Sequence, residues 1–321
     1  MMRTACVVAL AIVLGHEPTH AEHASAKPAH VPTETLVIAH RGASGLLPEH
    51  TLAAYAVAYV QGADVIEPDL VMTKDGVLIC SHESYLERTT DIAEVYPDRV
   101  SANGHWHAWN FTHAELDRVR RVGPDGARTP GHRIPTLAEM AELIIHLNER
   151  TGRDLPIIPE LKKPRDHLER GLDIADAFTS EIERIGSDRL GVIVQCFDFA
   201  TLRKLRDAGV TLPLVYLVGK EPLSPGELAD AALVVDGLGP SRRAFDELGA
   251  AYAERIREAG LRIYPYTFKD EPEDTRRFAL EYRVDGVFTD YPDVARAVID
   301  AGQASDTSEA RNGGRLERAA P

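Results

Sequence analysis

Short apolar runs that end in ionisable residues recur along the chain. Leu36-Val37-Ile38-Ala39 stops at His40-Arg41-Gly42, and Val65-Ile66 leads into Glu67-Pro68-Asp69-Leu70. Val77-Leu78-Ile79-Cys80-Ser81 ends at His82-Glu83, and Leu155-Pro156-Ile157-Ile158-Pro159 ends at Glu160-Leu161-Lys162. An unbroken apolar run of this length is the mark of a strand buried on both faces of a parallel sheet, whose last residues emerge at the carboxyl end. Strand side chains alternate with a period of two, so Glu67 and Asp69 share a face, as do Glu160 and Lys162. Two carboxylates on one face repel unless positive charge stands between them.

The same alternation continues beyond. Strands are predicted near 35–40, 64–71, 77–82, 155–161, 190–197, 212–218, 233–238, 261–268 and 285–289. Helical periodicity falls between them, notably over Glu49–Gln61, Leu137–Arg150, Asp166–Ile185, Phe199–Ala208, Ala250–Ala259 and Pro292–Ala301. Strands alternating with helices favour parallel pairing with right-handed crossovers. Four strands that all deliver ionisable groups at their carboxyl ends indicate the rim of a β/α barrel. The fold class expected is therefore α/β, a TIM-type β/α barrel over 34–301. A long insertion over 83–135 follows the third strand-like segment, contains Gly123-Pro124-Asp125-Gly126, and exceeds an ordinary connection.

These motifs resemble the glycerophosphodiester phosphodiesterase family. The likeness is carried by His40-Arg41-Gly42-Ala43, Pro48-Glu49-His50-Thr51, Gly62-Ala63-Asp64, Glu67-Pro68-Asp69, Thr73-Lys74-Asp75-Gly76, His82-Glu83 and Glu160-Leu161-Lys162. It continues through Gln195-Cys196-Phe197-Asp198, Tyr264-Pro265-Tyr266-Thr267-Phe268 and Asp285-Gly286-Val287-Phe288-Thr289-Asp290-Tyr291-Pro292, in unbroken order from about 36 to about 300. Tyr266-Thr267-Phe268 and the long insertion are similar to the exported, larger branch of that family. The resemblance implies that the insertion caps the barrel mouth and that the substrate is a small glycerophosphodiester. It implies His40 as base and His82 as acid, with the reverse assignment open, and water or the neighbouring glycerol hydroxyl as nucleophile.

The residue types agree with that chemistry. Glu67, Asp69 and Glu160 are hard oxygen ligands suited to one divalent cation, Ca²⁺ before Mg²⁺. Arg41 offers a fork of donors to phosphate and Lys162 a point charge. Histidine is the side chain whose unperturbed pKa lies near the working pH. Gln195, Phe197 and Tyr266, at strand ends, are candidate substrate contacts with a core role as the alternative. Glu49 and Glu83 read as ordinary rim charges, and His105 and His107 as histidines satisfied or exposed rather than ligating.

Composition narrows the field. The chain of 321 residues is 44% hydrophobic and 27% charged, enough for one barrel and ordinary for a soluble protein. A formal net charge of −14 argues against nucleic acid or an anionic membrane as partner. Met1-Met2-Arg3 and the apolar Thr4–Gly15 segment read as a secretory signal, residues 1–26, with cleavage after Ala26 and Ala21 as an alternative. That segment is too short for a stable membrane anchor, so the mature protein is expected in the periplasm or secreted. Cys6 leaves with the signal, and Cys80 and Cys196 are expected as free core thiols. The tail 302–321, poor in apolar residues, is expected to be disordered.

Two other readings share these residues. Related barrels act as lysophospholipase D or sphingomyelinase-like enzymes, and a longer apolar groove in the cap would favour that substrate. A metal-dependent phosphodiester-binding protein without turnover would be expected to have lost a histidine or a carboxylate.

Overall fold

Alternate positions along the strands pack into separate apolar clusters. Ile38, Val65, Ile158, Val215, Leu217, Tyr264 and Phe288 meet in one, while Val37, Ala39, Ile66, Val194 and Cys196 join a larger cluster shared with the helices. The computed structural model describes residues 34–123, 128–186 and 188–303. The expected signal segment, the turn residues Pro124-Asp125-Gly126 and the tail beyond Gln303 lie outside them. Gly302 and Gln303, assigned to that tail on composition, continue the helix of residues 292–303.

The strands in chain order are β1 (Leu36–His40), β2 (Val65–Glu67), β3 (Asp69–Met72), β4 (Leu78–Cys80), β5 (Arg120–Val122) and β6 (Arg128–Arg133). They continue with β7 (Glu160–Leu161), β8 (Val194–Cys196), β9 (Leu214–Val218), β10 (Gly237–Pro240), β11 (Arg262–Ile263) and β12 (Gly286–Thr289). β1 pairs in parallel with β2 and β12. β3, β7, β8, β9, β10 and β11 form a second parallel series. β2 and β3 are one course interrupted at Pro68, which has no N–H for the ladder. Single bridges, Ile66 to Ile157 and Phe268 to Thr289, join the two series on either side. Parallel pairing therefore runs round the ring of a β/α barrel.

Inward positions on β10 are glycine because their neighbours fill the centre. A Cβ on Gly239 would lie 2.4 Å from Leu217 Cδ2, and one on Gly237 2.9 Å from Tyr264 Cε2. Burying each large apolar side chain contributes about 1.5–3 kcal/mol. Deeper apolar residues and a polar upper layer thus share the same inward face.

β4 departs from the expected parallel order: it runs antiparallel to β3, pairing Leu70 with Cys80 and Met72 with Leu78. The tight turn containing Gly76, at φ +82°, is too short for the crossover a parallel strand requires. β3 climbs past the rim and β4 returns, so that Ser81 N donates to Asp69 O at 2.9 Å. The hairpin also founds the cap. Val71 and Ile79 pack with Leu86, Ile92, Phe111, Leu116 and Val119 in one cluster.

The helix expected over Asp166–Ile185 is two, Pro164–Leu168 and Ile174–Ile185. Gly171 at φ +73° breaks the run, and the Asp173 side chain accepts from Ala175 N and Asp176 N to start the second helix. The strand expected over 233–238 lies at Gly237–Pro240, with Val234 and Val235 buried ahead of it. Helix Pro225–Ala232, absent from the predicted elements, is opened by a Ser224–Glu227 capping box. Cys80 and Cys196 are free and buried, as expected. Among the described residues no helix is long and apolar enough to cross a membrane.

Candidate active site

Register brings the polar ends together. His40 lies opposite Glu67 across β1 and β2, Asp69 opposite Glu160 across β3 and β7, and Glu160 opposite Gln195 across β7 and β8. Glu67, Asp69 and Glu160 are buried, and each offers a carboxylate oxygen within 4.8 Å of the others. Burial and the charge of Asp69 push Glu67 well above the usual carboxylate range. Burial likewise takes Glu160 up to about 8, against the pull of Lys162. Burial acts upward on Asp69 too, but Lys162, His50 and Arg41 overcome it and hold that carboxylate well below its usual range. Two carboxylates that favour protonation beside one that does not mark a site short of positive charge. Three hard oxygens in this setting fit a divalent cation.

The nearby cations cover only part of the deficit. Lys162 Nζ lies 2.8 Å from Glu160 Oε1 and 3.7 Å from Asp69 Oδ1. Arg41 Nε lies 3.3 Å from Asp69 Oδ2, and its backbone N donates to Glu67 Oε2 at 2.8 Å. Arg41 holds φ +61° and is followed by Gly42 at φ +83°, where a Cβ would meet the Ala54 backbone at 2.7 Å. The helix Leu52–Val60 therefore presses against a turn that only glycine fits.

Both candidate histidines are backed by carboxylates. His40 Nδ1 donates to Asp290 Oδ1 at 2.6 Å, while its Nε2 accepts from Arg41 Nε at 3.2 Å. His82 Nδ1 donates to Glu83 Oε1 at 2.8 Å. Each carboxylate fixes its ring with Nδ1 protonated and Nε2 bare, the His40 Nε2 lone pair being shared with Arg41 Nε until a substrate or water donor replaces it. Burial pushes His82 down to about 4, with Asp69 and Glu83 pulling the other way. Glu83 is thus a partner of the site histidine, which corrects its reading as an ordinary rim charge. Glu49 is corrected similarly: its Oε2 accepts from Arg41 Nη1 at 2.9 Å.

Two residues in the quoted motifs were given no role by the sequence. Asp290, just past β12, is one, and its strand-end position is the only local signal. His50 is the other: fully buried, it donates from Nε2 to Asp69 Oδ2 at 2.9 Å and accepts at Nδ1 from the Tyr55 hydroxyl at 2.9 Å. His105 and His107 are satisfied locally, by Glu87 at 2.5 Å and Asn103 at 2.9 Å.

His40, Arg41, Glu67, His82, Lys162 and Gln195 line a cavity of about 140 Å³ whose apolar wall includes Phe197, Leu217, Tyr266 and Phe288. Gln195 donates to Glu67 Oε1 at 3.3 Å and to Ile158 O at 3.1 Å, and its buried Oε1 has no partner among the described residues. Phe197 is 46% exposed, stands edge-on to Tyr266 at 5.9 Å, and has Lys162 Nζ 5.7 Å from its ring centre. The Tyr266 hydroxyl donates to Val218 O at 2.8 Å. A wider outer cavity of about 590 Å³ shares His82, Glu160, Lys162 and Phe197 with the inner one and extends to Lys163, Arg165 and Asp198.

Comparison with known proteins gives one answer. The sequence profile of the Glycerophosphoryl diester phosphodiesterase family matches residues 40–294. A glycerophosphodiester phosphodiesterase of Bacillus subtilis is 33% identical over 280 residues, covering 83% of this chain and 87% of the relative. That of Haemophilus influenzae is 29% identical over 322 residues, covering 81% and 88%. A phosphodiesterase of Oleispira antarctica, solved with its product sn-glycerol-3-phosphate, superposes with a TM-score of 0.67 at 24% identity, covering 83% of this chain and 97% of that one.

Proposed function

The chain belongs to the glycerophosphoryl diester phosphodiesterase family and is an enzyme, and from that premise we propose a metal-dependent hydrolysis of glycerophosphodiesters to sn-glycerol 3-phosphate and an alcohol. The observation that carries this reading is the convergence of two carboxylate-backed histidines on a cavity walled by Glu67 and Glu160. Glu67, Asp69 and Glu160 would hold the divalent ion, which when bound would supply Lewis-acid neutralisation of charge on a phosphate oxygen. Three carboxylates and an exported setting favour Ca²⁺ over Mg²⁺, and the amino-terminal signal pattern supports export to the periplasm or medium.

The chain's own groups do the rest. Arg41 and Lys162 bind the phosphate, one through remaining guanidinium donors and the other as a point charge. His40 reaches only the inner cavity, whereas His82 borders both. The glycerol phosphate end therefore belongs inside, and the departing alcohol outside beside His82. His40 Nε2 takes the proton of the nucleophile as its oxygen bonds to phosphorus: water gives sn-glycerol 3-phosphate directly, whereas the neighbouring glycerol hydroxyl gives a cyclic phosphate that water then opens to the same product. His82, once it carries a second proton at Nε2 with its Nδ1–H still on Glu83, gives that Nε2 proton to the alcohol oxygen as the P–O bond breaks and ends neutral. Gln195, Phe197 and Tyr266 wall the glycerol end.

The outer cavity is bordered by Lys163 and the Arg165–Asp198 pair, closed at 2.7 Å, beside Leu161, Pro164 and Phe197, a lining that suits a small alcohol with a polar head group. The test is release of sn-glycerol 3-phosphate from glycerophosphocholine by protein lacking residues 1–26, chelated and then given Ca²⁺ or Mg²⁺. Release restored by an ion supports the reading. No release with either ion contradicts it.

A further inference from the structure

Glu49 sits in the loop between β1 and the helix Leu52–Val60, and no step of the proposed reaction uses it. Its Oε2 holds Arg41 Nη1 at 2.9 Å, and its Oε1 lies 3.7 Å from Nη2 of Arg88 in the cap. The fully buried cap residue Arg121 adds positive charge nearby; its guanidinium bonds the Cys80 carbonyl, two residues before His82, and Thr89 Oγ1 at 2.7 Å. One barrel carboxylate is thus held among arginines from both the barrel and the cap.

Arg41 is pulled from two sides. On one side is the carboxylate trio, with Asp69 Oδ2 at 3.3 Å, and on the other is Glu49. Opposite charges attract strongly where water is scarce, so an unopposed guanidinium would settle onto the trio, covering ligand oxygens and spending its donors there. With Nη1 on Glu49 and Nε shared between His40 and Asp69, Nη2 carries no hydrogen bond among the described residues. We infer that Glu49 is a positioning residue that holds Arg41 back from the trio, keeps its Nη2 donors for a phosphate oxygen, and ties that posture to the cap through Arg88. The inference rests on Arg41 being a phosphate-binding group.

The experiment is a double-mutant cycle on the metal-loaded enzyme. Glu49→Gln raises KM for glycerophosphocholine by about tenfold or more, the scale of a lost charge-assisted hydrogen bond. It weakens calorimetric binding of sn-glycerol 3-phosphate by the same factor, with a smaller effect on kcat. In an Arg41→Ala background the Glu49→Gln effect disappears, because the group it acts through is gone. Arg88→Ala, at a half-exposed side chain outside the cavity lining, moves KM the same way by less.

Arg41→Ala raising KM while Glu49→Gln leaves it unchanged overturns the inference and spares the assignment of Arg41. Arg41→Ala without effect on KM overturns that assignment itself. Equal effects of Glu49→Gln with and without Arg41 also overturn the inference, since they describe a general loss of structure. If Glu49→Gln does not fold, Arg88→Ala carries the test, and an unchanged KM there overturns the tie to the cap.

Discussion

His40 and Asp290 stand 250 positions apart in the chain and meet at 2.6 Å, Nδ1 to Oδ1. β1 and β12 are neighbours in the ring, and Ser44 Oγ braces the same carboxylate oxygen at 3.2 Å. The contact with the Asp290 carboxylate fixes the tautomer and orientation of the His40 ring. Asp290→Asn keeps the shape and removes that charge. Turnover is expected to fall by roughly 10²-fold or more with KM little changed, measured by steady-state kinetics. Unchanged kcat would remove Asp290 from the account.

His50 touches the proposed metal site through Asp69. His50→Ala leaves Asp69 Oδ2 and the Tyr55 hydroxyl without their partner, costing about 1–3 kcal/mol of stability. Second contacts of this kind also orient the ligand, so affinity for a divalent cation at the proposed site is expected to drop roughly 10–100-fold. Calorimetric titration separates the two effects: destabilisation with unchanged affinity would leave His50 a core residue only.

His167 is buried against Trp109, whose ring stands edge-on at 5.1 Å, and its Nδ1 has no partner among the described residues. Burial pushes it down to about 4, helped by Arg170 and opposed by Asp166. In the unfolded chain it titrates near 6.5, so the unfolded state binds the extra proton first. Its contribution is therefore complete above pH 6.5 and is lost as pH falls towards 4. Against His167→Gln, the wild type should lose roughly 2–3 kcal/mol between pH 7.5 and 4.5 in urea unfolding. His50, also pushed down to about 4 by burial, is common to both proteins and cancels. A constant difference across that range would contradict the assignment.

Local periodicity made the trio legible. Glu67 and Asp69, and Glu160 and Lys162, share faces because strand side chains alternate, and the ring then adds only their proximity. The direction of β4 was not legible, because Val77-Leu78-Ile79-Cys80 reads the same in a parallel or an antiparallel strand. The partners of His40, Asp69 and Arg41 were hidden for another reason. Asp290 and His50 meet them through tertiary packing, and Glu49 through a loop whose turn residues Arg41 and His50 both adopt positive φ. No spacing in the chain encodes such contacts.

The division of labour between His40 and His82 is tested most directly by changing the leaving group. Glycerophosphocholine needs its departing alcohol protonated, whereas a p-nitrophenyl ester of glycerol 3-phosphate releases a stable anion and does not. His82→Ala should lose roughly 10²-fold or more in kcat on the choline ester and retain most activity on the nitrophenyl ester, while His40→Ala loses both. Near-normal turnover of glycerophosphocholine by either variant would contradict the account.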